Sequence, residues 1–232
     1  MLDLASRHKK GLKIERLLGL APTSEVIRIL EIGTGSGGIA GYFAHHETLK
    51  CAVTAVDVVD QRQVTDGFEF LQVAGTRLPF ADQSFDVVIT NHVIEHVGDK
   101  LAQLDHLHEV RRVMASDGVG YLAVPNRWML VEPHFRLMFL SWWPHAWRTP
   151  YLRWMRKGDR YDCEPLQMRK LESMLETTGL AYRNMCLDAL RATFKIERPD
   201  SVGNRLLWAT PDVLLKPFKR MIPTLIYRIR PL

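Results

Sequence analysis

The chain of 232 residues has little cysteine, no long hydrophobic run and no low-complexity tract. Its three cysteines, Cys51, Cys163 and Cys186, are scattered and form no C-x-x-C pair. We therefore expect reduced, buried thiols in a cytoplasmic protein rather than a disulfide framework. No run reaches the roughly 18 apolar residues that a membrane-spanning helix needs. The first twelve residues are polar and basic without an apolar core, so we expect no signal peptide.

Positive charge is concentrated late in the chain. The formal net charge is +5, yet residues 126–160 alone hold seven Arg or Lys against two Asp or Glu, and residues 205–232 hold six against one. This asymmetry indicates an anionic partner that approaches from the side of these two segments. Residues 126–160 also contain five of the six tryptophans, so this segment is too long and too aromatic for a plain connection.

A glycine-rich loop follows a short apolar run at residues 26–32, which predicts a strand buried on both faces. The loop contains four glycines, Gly33, Gly35, Gly37 and Gly38. Glycine permits positive φ and leaves no Cβ between the backbone and a ligand. Gly33, Gly35 and Gly38 have the spacing of a dinucleotide-binding loop. Gly33, Gly35 and Gly37 have that of a loop for S-adenosyl-L-methionine (SAM). Asp57, which ends the next apolar run, could hold a ribose in either case.

Strands and helices alternate over the first half of the chain. The patterns predict strands at 26–32, 51–57, 68–73, 85–90 and 119–124, and helices at 3–20, from the glycine loop to about 46, and at 100–115. A helix at 165–178, a strand near 181–188 and a final strand at 223–230 follow. This order predicts an α/β fold with a Rossmann-like, doubly wound, mostly parallel sheet. We predict a single domain over residues 1–232, with a lid or substrate-recognition insertion at 126–160 and a helical extension at 190–222.

With these elements placed, residues 25–125 resemble the class I SAM-dependent methyltransferases, in particular their small-molecule, methyltransferase-11-like branch. The matching stretches are Glu31-Ile-Gly-Thr-Gly-Ser-Gly37, Leu78-Pro-Phe-Ala-Asp-Gln-Ser-Phe-Asp86 and Asn91-His-Val-Ile-Glu-His96. Residues 161–190 and 223–230 match more loosely. The resemblance implies a seven-stranded sheet with an antiparallel last strand, SAM as cofactor and S-adenosyl-L-homocysteine (SAH) as product.

The resemblance also implies the cofactor contacts. Glu31 would lie near the methionine amino group, and Asp57 would hold the ribose hydroxyls through its paired acceptor oxygens. The predicted cofactor-binding residues are Glu31, Gly33, Thr34, Gly35, Gly37, Asp57, Val58, Gly75, Thr76 and Asn91. One position departs from the family, because Ala74 stands where an aspartate usually receives the adenine amino group. We expect adenine recognition through backbone groups, Thr76 or packing against Val58.

The catalytic candidates lie where the carboxyl ends of the fourth and fifth strands meet the insertion. Methyl transfer needs alignment, and a base if the nucleophile is a hydroxyl. Histidine titrates in the right range for that role, so we predict His134 or His92 as the base. The predicted substrate residues are His96, Arg160, Tyr161, Trp128 and Trp143.

Two other activities fit parts of the sequence. His92-Val-Ile-Glu-His96 spells the inverted zinc-peptidase motif, in which a helix lets both histidines share a metal. Its position after the fourth strand favours a role without metal, so we predict none. A nicotinamide-dependent dehydrogenase would need a separate substrate domain, and too little chain follows the fifth strand for one of ordinary size.

The aromatic, basic insertion suits either a lid that excludes water or a surface for the membrane–water interface or a glycolipid. We predict O-methylation of a small or lipid-linked, anionic acceptor, such as an envelope glycan or a lipopolysaccharide precursor. The protein would lie peripherally at the inner membrane face, with Arg136, Arg148 and Arg153 binding anionic lipid. The alternatives are a C-methyltransferase of a quinone or polyketide-like ring and a non-catalytic SAM- or glycolipid-binding sensor. No nucleic-acid-binding module is recognisable, and the sequence leaves the oligomeric state open.

Overall fold

The computed structural model of the chain describes residues 4–132 and 135–232. In chain order the strands are β1 (Ile27–Ile32), β2 (Cys51–Asp57), β3 (Glu69–Gln72), β4 (Phe85–Asn91), β5 (Met114–Pro125), β6 (Val131–Glu132), β7 (Leu137–Met138), β8 (Leu180–Asn184) and β9 (Thr224–Pro231). The α-helices are α1 (Leu4–Leu18), α2 (Gly38–Ala44), α3 (Lys100–Val113), α4 (His145–Trp154), α5 (Met168–Thr177), α6 (Cys186–Glu197), α7 (Val202–Ala209) and α8 (Asp212–Leu215). Short 3₁₀ helices cover Leu140–Trp142 and Lys216–Met221.

The central sheet has seven strands in the order β3-β2-β1-β4-β5-β9-β8 within the described residues. Strands β1 to β5 pair in parallel, whereas β9 pairs antiparallel with both β5 and β8. The predicted Rossmann-like sheet with an antiparallel last strand in the chain is therefore confirmed. The strand order reverses between β1 and β4, and such a reversal opens a crevice at the carboxyl ends of the strands.

Helices cover both faces of the sheet because its strands are apolar on both sides. Leu30 and Val88 pack in one cluster with apolar residues of α3 and α5. Ile29 and Val87, their chain neighbours, pack on the opposite face with residues of α1, α2 and α6. Successive strand residues point to opposite faces, so a continuous apolar run fills two cores.

The predicted strand near 181–188 was wrong in its second half. Strand β8 ends at Asn184, and α6 begins at Cys186. The Asn184 side-chain oxygen accepts the Cys186 N–H at 3.2 Å, which closes a local turn that competes with strand pairing. The apolar residues Met185, Cys186 and Leu187 are buried at the start of the helix instead of extending the strand.

The insertion at 126–160 contains the β6–β7 hairpin, a 3₁₀ turn and α4. It packs around a small core of its own, formed by Leu137, Leu140, Leu152, Tyr161 and Cys163. Asn126 fixes its start: the Nδ2 group donates to the carbonyls of Arg220 and Ile222, each at 2.8 Å. These bonds hold the insertion beside the segment that leads into β9.

Candidate active site

A cavity of about 1010 Å³ opens at the carboxyl ends of β1, β2 and β4. Its wall includes the loop from Ile32 to Gly35, the end of β2 from Val56 to Val58, and Asn91 to Val93 after β4. This is the crevice where the strand order reverses, the place at which open α/β sheets bind ligands. The volume is that of a site for a nucleoside-sized molecule.

Asp57 is bound to the glycine loop at the edge of this cavity. Its Oδ2 accepts the Gly35 N–H at 2.8 Å, and its Oδ1 accepts the Val58 N–H at 2.7 Å. A carboxylate has about four lone-pair sites, so each oxygen can still accept a hydroxyl from the cavity. Gly35 has a φ of +53°, and a Cβ there would meet nothing within 4 Å. A ligand can therefore approach the loop backbone, and the donor and acceptor set suits a ribose.

Glu31 lies behind the cavity wall and does not line it. Its Oε2 accepts the Thr34 hydroxyl at 2.8 Å and the Ala40 N–H at 2.9 Å. The side chain therefore ties the glycine loop to the first turn of α2. Complete burial raises the pKa of Glu31 from its ordinary 4.5 to about 8, so the carboxyl stays protonated at neutral pH when no cofactor is bound.

The raised pKa of Glu31 makes the stability of the cofactor-free protein depend on pH. The folded state keeps a proton that the unfolded chain releases, so stability falls as the pH rises from about 4.5 to about 8. We expect Glu31→Gln to flatten this fall, since an amide keeps the acceptor oxygen without a titrating proton. Thermal unfolding of the wild type and the variant between pH 4.5 and about 8 measures how the stability of each changes with pH. An equal slope in the two proteins would refute the assignment.

Gly37 fixes the backbone of the loop rather than facing the cavity. It has a φ of +77°, and a Cβ would overlap the carbonyl oxygen of Val64. The neighbouring Ser36 carbonyl accepts the N–H groups of Gln63 and Val64, at 2.9 and 3.1 Å. The chain after β2 is therefore held against the loop at this point, and only glycine fits there.

We expect Gly37→Ala to lower the free energy of unfolding by about 2–5 kcal/mol, because it adds the cost of a left-handed alanine to that of overpacking. Gly75→Ala is the control: a Cβ at Gly75 meets nothing within 4 Å, and its φ is not positive. Urea unfolding of the three proteins gives the comparison. Equal losses in the two variants would contradict the role of Gly37.

Most of the predicted cofactor residues surround the cavity. Those that line it are Gly33, Thr34, Gly35, Asp57, Val58, Gly75, Thr76 and Asn91. Two cations from α1, Arg7 and Lys10, also line it, and no motif in the sequence marks them. Burial, followed by the charge of Arg7, lowers the pKa of Lys10 to about 8. The one feature of the sequence that could have drawn attention to Arg7 and Lys10 is the run of basic residues near the start of the chain.

His92 and Glu95 form a hydrogen-bonded pair at the end of β4. His92 lines the cavity and has a φ of +60°; its N–H donates to the carbonyl of Ala123 at 2.9 Å. Its Nδ1 lies 3.2 Å from Oε1 of Glu95, whose side chain is fully buried. A carboxylate at Nδ1 favours the proton there and leaves Nε2 as the acceptor. The pair therefore has the arrangement of a general base and the group that orients it.

The remaining predicted site residues lie in different surroundings. His96 lines the cavity, whereas His134 lies outside the described residues. Trp128, Trp143 and Arg160 are exposed and do not line the cavity. Tyr161 is buried in the core of the insertion.

Arg148, expected on the surface, is buried, and that expectation was wrong. Its Nε donates to the carbonyl of Trp143 at 3.0 Å, and its guanidinium carbon lies 5.7 Å from the centre of the Tyr161 ring. The buried polar end is thus partly satisfied within the insertion.

The zinc motif does not form a metal site in the described parts of the chain. Residues 92–97 form turns and not a helix, so His92 and His96 lack the helical placement that the motif requires. No group of three or more His, Cys, Asp or Glu among the described residues could hold a metal ion.

The fold and the cavity together define an α/β domain with a nucleoside-sized cavity at the reversal of its strand order. Residues 30–122 match the family model described as a methyltransferase domain. Relatives include a glycine/sarcosine/dimethylglycine N-methyltransferase of Actinopolyspora halophila, 32% identical over 50% of this chain and 21% of that protein. A ubiquinone/menaquinone biosynthesis C-methyltransferase of Xanthomonas oryzae pv. oryzae is 30% identical over 37% of this chain and 38% of that protein.

Solved structures show the same fold. The phosphoethanolamine N-methyltransferase 2 of Haemonchus contortus, in complex with SAM, superposes with a TM-score of 0.55 and 16% identity, over 96% of this chain and 52% of that one. Residues 30–122 are therefore similar to a methyltransferase domain, and the chain shares its fold with a structure solved in complex with SAM. The matches span well under half the length of the two curated relatives.

Proposed function

We propose that this protein transfers a methyl group from SAM to an oxygen of a small or lipid-linked acceptor. One observation carries the proposal. Two residues line the cavity at the strand-order reversal: Asp57, which is bound to the glycine loop, and His92, whose Nδ1 is bonded to the buried Glu95. The first arrangement suits the ribose of the cofactor, and the second suits the removal of a proton from an acceptor.

Three residues would hold the cofactor by charge and hydrogen bonding, and a fourth would fix the loop beside it. Asp57 would accept the ribose hydroxyls with its remaining lone pairs. Arg7 and Lys10, the two cations of α1 in the cavity, would face the carboxylate of the methionine portion. Thr34, held by Glu31, would keep the loop in place. When bound, SAM supplies a methyl group on a positively charged sulfur.

The role proposed for His92 is to move one proton. Its Nε2 would accept the proton of an acceptor hydroxyl, while Glu95 would keep Nδ1 protonated and stabilise the resulting imidazolium. The curated relatives are named as an N- and a C-methyltransferase, so similarity does not select the methylated atom. The choice of oxygen rests on the His92–Glu95 pair. The C-methyltransferase relative keeps methylation of a quinone-like ring as the second candidate.

Methyl-labelled SAM tests the activity. The purified protein is incubated with hydroxyl-bearing acceptors in two sets, water-soluble compounds and lipid-linked glycans in vesicles. We expect label in an ether or ester oxygen of one set. Label on a ring carbon would establish the second candidate, and SAH binding without transfer to any acceptor would favour the sensor alternative.

Exposed apolar side chains support a lipid-linked acceptor. They are frequent in two segments, the insertion and residues 202–221, and Asn126 bonds the start of the first segment to the carbonyl of Arg220 at the end of the second. We name this cluster the apolar–basic surface; its large members are Trp128, Met138, Phe139, Trp142, Trp143, Trp147, Trp154, Met155, Val202, Leu206, Trp208, Val213, Leu214, Phe218 and Met221. Its cations include Arg153, Lys157, Lys216, Lys219 and Arg220. Aromatic and aliphatic residues beside cations suit the interface of an anionic bilayer.

Among the described residues, no helix has the length and apolar character needed to cross a membrane.

Vesicle sedimentation tests the apolar–basic surface. Trp147 and Trp154 are 62% and 78% exposed, so we expect the double variant Trp147→Ser/Trp154→Ser to bind anionic vesicles about 10-fold or more weakly. Leu101→Ser is the control, because Leu101 is 70% exposed on α3, outside this surface. Unchanged partitioning of the double variant would remove the membrane part of the proposal.

A further inference from the structure

A second cavity, of about 380 Å³, adjoins the cofactor cavity. His96 lines both. The second cavity lies between the loop after β4, the start of α3, the insertion and the segment that follows it. The residues that line it are Glu95, His96, Gly98, Asp99, Lys100, Gln103, His145, Asp162, Glu164 and Lys170. A space of this size takes one sugar-sized group rather than a whole nucleoside.

Two buried acceptor oxygens in the wall of this cavity have no hydrogen-bond partner among the described residues. Glu95 and Gln103 are each 1% exposed, and Glu95 Oε2 and Gln103 Oε1 are both unpartnered. Leaving a buried acceptor without a donor costs about 1–3 kcal/mol, and more for a charged group. Two such atoms in the wall of one cavity therefore indicate that a ligand or solvent supplies the donors.

The cavity is held in shape by contacts unrelated to its unpaired oxygens. The Glu164 N–H donates to the carbonyl of Glu95 at 3.0 Å, which joins the segment after the insertion to the loop after β4. Asp99 Oδ1 caps α3 by accepting the N–H groups of Leu101 and Ala102, each at 3.0 Å. The walls are thus fixed, while Glu95 Oε2 and Gln103 Oε1 have no donor among the described residues.

We propose that the second cavity is the acceptor subsite and binds a group rich in hydrogen-bond donors, either sugar hydroxyls or an ammonium group. This inference rests on the proposed methyl-transfer function. Carboxylates and an amide oxygen accept from both kinds of donor. Glu164 is paired with Arg148 at 3.4 Å and lies 3.1 Å from His145. The other lining carboxylates, Glu95, Asp99 and Asp162, still outnumber the lysines, Lys100 and Lys170. We therefore expect the part of the acceptor that binds here to carry no negative charge. Any negative charge on the acceptor would lie outside this cavity.

The position of Glu95 joins this subsite to the base. Oε1 of its carboxyl group faces His92 Nδ1 at 3.2 Å, and the second oxygen, Oε2, is the unpaired atom. A donor bound to Oε2 would also fix the carboxylate that orients His92. Occupation of the subsite and orientation of the base are then coupled through one side chain.

Calorimetric titration of the SAH-saturated protein tests the subsite with three probes. Methyl glucoside supplies hydroxyls alone, ethylamine supplies an ammonium alone, and gluconate adds a carboxylate to a polyol. We expect methyl glucoside or ethylamine to bind at millimolar concentration, with gluconate weaker than methyl glucoside. The better of the two binders identifies the source of the donors.

Two variants distinguish a ligand site from a hydrated void. Gln103→Leu removes one unpaired acceptor at nearly constant volume, and Asp162→Asn changes an exposed carboxylate that folding does not require. We expect each variant to lower the affinity for the probe, by about 10-fold for Gln103→Leu. The affinity for SAH should stay unchanged. No probe binding to the folded, SAH-loaded protein would overturn the inference, as would equal binding by the wild type and both variants. Loss of SAH binding in the wild type would instead overturn the proposed function.

Discussion

Replacing His92 by asparagine is expected to lower the rate of methyl transfer by about 10²–10⁴-fold, the usual contribution of a positioned general base. Asparagine has no basic nitrogen, yet it tolerates the left-handed backbone that His92 adopts at a φ of +60°. The variant should therefore fold, and its affinity for SAH should stay within about twofold of the wild type because Asp57 and the glycine loop are untouched.

Single-turnover rates with labelled SAM measure this effect, once the acceptor screen supplies a substrate. His108→Asn is the matched control, because His108 is exposed on α3 and does not line the cavity. A fully active His92→Asn protein would refute the role of His92. That result would favour His134, the other predicted base, or methylation of a carbon atom without a histidine base.

Asp57→Asn is expected to weaken SAH binding by about 10–100-fold, the range for losing hydrogen bonds to a charged group. The carboxylate receives the N–H groups of Gly35 and Val58, at 2.8 and 2.7 Å. An amide has only one acceptor oxygen, and its NH₂ group would face one of these N–H donors. The substitution therefore disturbs the loop and also removes acceptors for the ribose.

Asp60→Asn provides the matched control for this measurement. Asp60 is exposed three residues further on, and its side chain accepts from Arg62 at 2.8–3.2 Å. We expect calorimetry to give wild-type SAH affinity for this variant. Equal affinities for all three proteins would remove Asp57 from the cofactor site.

The fold could be predicted from local signals because these agree with one another over residues 25–125. The apolar run before Gly33 is a strand buried on both faces, and its register with β2 and β4 brings Asp57 and Asn91 to the same edge as the glycine loop. Strand order and residue periodicity fix such positions without knowledge of distant contacts.

Residues placed by long-range packing could not be predicted. Arg7 reaches the cavity because α1 packs directly on α2, so closely that a Cβ on Gly38 would lie 2.6 Å from that of Arg7. Asn126 looks like an ordinary polar residue after a strand, but it is buried and bonds to Arg220 and Ile222. The contacts of Asn126 join residues 94 and 96 positions apart, and no periodicity in the sequence predicts contacts of either kind.

Composition did not predict which residues of the insertion are exposed. The cluster of arginines and tryptophans suits a packed lid or an exposed surface, and the insertion has side chains in both environments: Arg148 is buried against Tyr161, while Trp154 is exposed. Large amphipathic side chains can occupy either environment if their polar ends find partners. The sequence therefore indicates what the insertion contains but not which of its residues face the solvent.

Titration of the wild-type protein with SAH, monitored by calorimetry, tests the central claim most directly. The account predicts one site with micromolar affinity, competition by SAM and no binding of NAD at comparable concentration. The absence of SAH binding by the folded protein, or preferential binding of NAD to the same cavity, would contradict it.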